Sequence, residues 1–88
     1  MKITLTEDEW EALQDEVSLY TDLVPDLGRK NKGKIEFEMD AEDLDELIGY
    51  VAATANHAES KKTERILDGV FEKMEAVLKN QTKGPNQT

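Results

Sequence analysis

The stretch Lys2-Ile3-Thr4-Leu5-Thr6-Glu7-Asp8-Glu9-Trp10-Glu11-Ala12-Leu13 sets the pattern from which the rest of the chain can be read. Polar and apolar residues alternate from Lys2 to Thr6, the period of a strand with one face buried. Thr6 followed three residues later by Glu9 is the signature of a capping box, in which the hydroxyl and the carboxylate each satisfy a free backbone N–H at a helix start. Glu7, Asp8 and Glu9 fill the first turn, where the positive end of the helix dipole favours acids. Trp10, Leu13, Val17, Tyr20 and Val24 then continue as one apolar stripe, with Leu19 and Leu23 beside it. The spacing predicts a helix that ends near Leu23, because Pro25 disfavours helical geometry at Val24.

The same order of chemistry returns 34 residues later. Lys34-Ile35-Glu36-Phe37-Glu38-Met39 alternates again, and Asp40 stands where Thr6 stood, with Asp43 completing the box. Ile3 corresponds to Phe37, Leu5 to Met39, Leu13 to Leu47 and Val17 to Val51. A short strand entering a capped helix calls for this chemistry each time, so the echo has a physical explanation without duplication. Between the units, Pro25 to Gly33 is expected to be a loop, with Arg29, Lys30 and Lys32 making it basic.

Leu44, Leu47, Ile48, Val51, Ala52, Ala55 and Ala58 form an unbroken stripe on the second helix. Its later half is small-sided, with Gly49, Ala52, Ala53, Thr54 and Ala55, which suggests tight packing against a third helix. Ser60 is a candidate cap for that third helix, whose stripe runs through Ile66, Leu67, Val70, Phe71, Met74, Val77 and Leu78. Gly69 inside it lowers helix propensity by about 1 kcal/mol and therefore points to a close contact. The expected fold is α+β, ordered β-α-β-α-α, with two short strands on a three-helix core; an all-α helical bundle is the alternative. Residues 1–79 read as one domain and 80–88, polar and containing Gly84-Pro85, as a disordered tail.

Eighty-eight residues carry 11 bases against 20 acids, a formal net charge of −9, and no cysteine. The lack of cysteine excludes disulfide scaffolds, thiolate zinc sites and a thiol nucleophile. The charge opposes direct binding to a phosphate backbone, which draws on Lys and Arg. It is also uneven: residues 1–46 hold 15 acids and 5 bases, whereas residues 47–88 hold 5 acids and 6 bases. The longest nearly uncharged run, Leu47 to Ala58, is far shorter than the roughly 20 apolar residues of a spanning helix. With no signal-peptide pattern at Met1–Thr6, the expected setting is the cytoplasm, without membrane contact.

No set of residues selects a reaction. His57, the sole histidine, lies seven residues after Tyr50 and four after Ala53, away from the main stripe. His57 and Glu59 share the H-x-E spacing of zinc deaminases, which also require a cysteine pair. Asp40 to Glu46 is rich in acids but lacks the Gly of a calcium loop, and Leu44 and Leu47 fit a helix there. Gly28 and Gly33 flank a basic loop without phosphate-loop spacing. The tract Leu44-x-x-Leu47-x-Gly49-Tyr50-Val51-Ala-Ala-x-Ala55-Asn56-His57 resembles a helix of short, uncharacterised bacterial proteins. That resemblance implies no activity, but it groups Asn56 with His57.

These readings lead to an expected interaction module, a homodimer or the partner of another protein, that acts by binding, with no cofactor. The candidate interface residues are Gly49, Tyr50, Ala53, Asn56 and His57. Two alternatives are an acidic mimic that occupies the basic surface of a nucleic-acid-binding protein, and a metal-binding or enzymatic protein built on His57.

Overall fold

Helix α3 (Lys61–Lys83) is the element on which the others converge: α2 (Ala41–Asn56), α1 (Glu7–Asp15) and strand β1 (Lys2–Thr6) all pack against it. The computed structural model describes residues 1–83. Strands β1, β2 (Arg29–Asn31) and β3 (Lys34–Glu38) form an antiparallel sheet in the order β1-β3-β2. The fold is α+β. No helix among the described residues is long and apolar enough to cross a membrane.

Strand alternation works as expected. Ile3 and Leu5 of β1 face Phe37 and Ile35 of β3 across the ladder, and all four are buried. The opposite face carries Lys2, Thr4 and Glu38, with Lys2 Nζ 3.4 Å from Glu36 Oε1. The echoed positions Ile3 and Phe37 are thus direct antiparallel partners, and the backbone N–H of Met39 donates to the Met1 carbonyl at 3.0 Å, extending the ladder by one pair. Trp10 tilts against Phe37 with ring centroids 5.6 Å apart, locking α1 to the sheet.

The expected two strands are in fact three. Residues 29–31, read as loop, form β2, and Lys32 and Gly33 make a two-residue turn into β3. Both turn residues have positive φ, 53° and 81°, the geometry whose twist matches paired strands. Gly28 leads into β2 at a point where a Cβ would fall on Ile35 Cγ2 and lie 3.2 Å from the Trp10 ring, so only glycine fits.

The first helix is also shorter than its stripe predicts. It stops at Asp15, followed by a 3₁₀ turn at Val17–Leu19. Ser18 Oγ donates to the Gln14 carbonyl there, a local bond that competes with continued helix. The chain then leaves the core: Val17 and Val24 are buried, but Leu19 and Tyr20 of the predicted stripe face outward.

Caps follow the sequence at two of three helix starts. Thr6 and Glu9 form the complete capping box. Ser60 Oγ accepts from the Thr63 N–H at 3.0 Å, capping α3. Asp40 precedes α2 with extended geometry but makes no side-chain cap bond, so the expected Asp40–Asp43 box is absent. Helix α3 runs to Lys83, four residues beyond the expected domain end, and the tail expectation for residues 84–88 lies outside the described residues.

Candidate functional site

Helix α2 divides into two faces. Leu44, Leu47, Ile48, Val51 and Ala55 are buried in the core, while Glu46, Gly49, Tyr50, Ala53, Asn56 and His57 are exposed. Of the small residues, Ala52 and Ala55 belong to the inner side, whereas Gly49 and Ala53 do not. A Cβ added at Gly49 would meet no atom within 4 Å. The expected tight packing of these two positions against α3 is therefore corrected: they look outward.

Beside them lies a groove of about 240 Å³ lined by Tyr20, Tyr50, Ala53, Thr54 and His57. Tyr20 reaches it because the 3₁₀ turn carries the chain away from α1's direction, next to α2. A second concavity, lined by Glu46, Gly49, Tyr50 and Ala53, shares Tyr50 and Ala53 with the first. Tyr20 is 56% and Tyr50 37% exposed, and Leu19 beside Tyr20 is 75% exposed. Thr54 Oγ1 donates its hydrogen to the Tyr50 carbonyl at 2.7 Å, so this hydroxyl could meet a groove occupant only as an acceptor.

His57 closes the helix. Its backbone N–H reaches the carbonyls of Ala53 at 3.2 Å and Thr54 at 3.1 Å, which fixes the residue at the groove's end. Asn56 is exposed and does not line the groove, so the structure brings together Tyr50, Ala53 and His57, with Gly49 adjacent, and leaves Asn56 apart. Tyr20 was not legible as a groove residue, because its place on the first stripe pointed to core and Pro25 marked the helix end near Leu23, well beyond the observed end at Asp15.

The acids are divided in their roles. Glu9 is buried and bonded to Lys73, Glu36 faces Lys2, and Glu7 lies 4.0 Å from Lys30. On α2, Glu42, Asp43, Asp45 and Glu46 all fall in the first six residues, and Leu47–Asn56 carries no charge. Asp40 to Glu46 is a helix entrance, and a calcium loop is not formed there. Among the described residues no group of three or more His, Asp or Glu side chains is placed to hold a metal ion.

A further hollow of about 330 Å³ lies beside Trp10 under Leu27 and Gly28, with Glu7, Glu11, Asp26 and Lys30 at its rim. Its rim mixes both signs of charge. Comparison with protein-family models, curated proteins and solved structures finds no match to this chain.

Proposed function

We propose that this chain is a small acidic interaction module of the cytoplasm, acting by binding, and that its partner is a second copy of itself. The observation that carries the reading is the outer face of α2, where Tyr50 and Tyr20 stay exposed around the open notch of Gly49 and Ala53. Tyrosine supplies large contact area with little loss of conformational freedom and is enriched where proteins meet. Small residues beside it let a second helix approach closely. A chain of this size buries a modest fraction of its surface, so covering that face also adds stability. The chain contains no cysteine, and nothing in its chemistry ties it to an oxidising compartment.

Size-exclusion chromatography with light scattering, at tens of micromolar, tests the reading. The expected mass is twice the 10.0 kDa of the chain. A mass of 10.0 kDa at that concentration contradicts the homodimer.

A further inference from the structure

The homodimer reading leaves open how two copies meet, and the following geometry rests on it. We infer that the copies pair along α2 in antiparallel fashion, about a two-fold axis level with Val51 and Ala52. Tyr50 of each copy lies over Ala53 of the other, and Glu46 of each faces His57 of the other.

Three observations lead there. The exposed row of α2 is Glu46, Gly49, Tyr50, Ala53 and His57, a charge at one end, a histidine at the other and apolar or small residues between. In a two-fold antiparallel pair, facing positions share one midpoint. Tyr50 with Ala53 and Glu46 with His57 both have theirs between Val51 and Ala52, so a single register satisfies both. Each Glu46–His57 pair then sits about 8 Å along the helix from the axis, at 1.5 Å per residue.

The second observation is charge. All four acids of α2 lie in its first six residues, and the exposed Lys61 and Lys62 follow soon after its end. Parallel pairing would bring the two acidic ends together. Antiparallel pairing instead sets each acidic end against the uncharged end of the other helix, and the helix dipoles favour the same arrangement. The third is space. Gly49 has no neighbour within 4 Å of a Cβ, and the notch it makes with Ala53 adjoins the groove walled by Tyr20 and Tyr50. Complementary ends with an aromatic knob and a small-residue notch make the face self-complementary, which an isologous contact requires.

The test uses the wild-type chain, E46K, H57E and the double variant E46K/H57E in sedimentation experiments, with circular dichroism confirming the fold of each. Both sites are exposed, so the monomer should tolerate them. H57E sets two carboxylates opposite one another twice per dimer, and E46K puts a cation where His57 meets an acceptor, so each single variant should weaken association by roughly tenfold or more. The double variant sets a lysine against a glutamate at both contacts and should restore it. An equal mixture of E46K and H57E should also restore it, as a heterodimer, because one contact then pairs a lysine with a glutamate and the other keeps the native Glu46–His57 pair. If the wild type is dimeric and the single variants match it, or the mixture stays as dissociated as its components, the register is wrong while the homodimer stands. A monomeric wild type overturns both.

Discussion

Lys73 Nζ lies 2.6 Å from Glu9 Oε1, a contact that spans 64 residues of sequence and ties α3 to the first turn of α1. The same carboxylate oxygen accepts the Thr6 N–H at 2.9 Å, so one buried side chain closes the capping box and receives the ion pair. The Glu9 side chain is 12% exposed and that of Lys73 43%, which leaves the carboxylate dependent on these two donors.

Lys73→Met should therefore destabilise the fold by about 1–3 kcal/mol, because it leaves a nearly buried carboxylate short of a partner. Glu9→Gln keeps an oxygen for the Thr6 N–H and should lose less than Glu9→Ala, which removes the carboxylate's half of the capping box together with the ion pair. Urea unfolding followed by circular dichroism measures all three. Equal losses for Glu9→Gln and Glu9→Ala would show that the cap adds nothing.

Glycine substitutions in the two long helices should have opposite signs. A Cβ at Gly69 would stand 3.0 Å from Glu9 Oε2, and that carboxylate is held by Thr6 and Lys73. Gly69→Ala should lose more to this crowding than the roughly 1 kcal/mol it gains in helix propensity. In a Glu9→Ala background it should become stabilising. Gly49→Ala meets open space and should stabilise the monomer by about 1 kcal/mol, measured in a background that does not associate.

The contrast between Gly69 and Gly49 also shows what sequence conveys. Gly69 was readable as a close contact because it interrupts an apolar stripe, and Thr6 with Glu9 was readable as a cap because both partners lie within one turn. Lys73 was not readable as the partner of Glu9, since pairing across 64 residues depends on how α3 crosses α1. The periods of α2 and α3 and the strand alternation of β1 and β3 gave most of the fold. Strand β2 escaped because Arg29–Asn31 are three exposed polar residues held by pairing to β3, with no apolar face to announce them. In the candidate site, Tyr50, Ala53 and His57 were visible as one row by spacing. Tyr20 joined them through a change of direction after Asp15 that its own stripe concealed.

The turn between β2 and β3 offers a stabilising change. Lys32 adopts φ 53° beside Gly33 at 81°, and asparagine tolerates that region better than lysine. Lys32→Asn should raise stability by about 0.5 kcal/mol, and Gly33→Ala should lower it by about 1–2 kcal/mol, the cost of a Cβ in left-handed geometry. Thermal melts of both variants read the difference; a neutral Gly33→Ala would contradict the turn geometry.

In the proposed dimer a second copy covers the outer face of α2 at Ala53. Sedimentation equilibrium of the wild type beside Ala53→Arg tests it most directly. Ala53 is exposed, so the substitution leaves the monomer's core untouched while filling the notch with a long cation. The proposed dimer gives a wild-type mass of twice 10.0 kDa and an Ala53→Arg mass of 10.0 kDa with unchanged helical content. Equal masses for the two proteins, whether both dimeric or both monomeric, would contradict it.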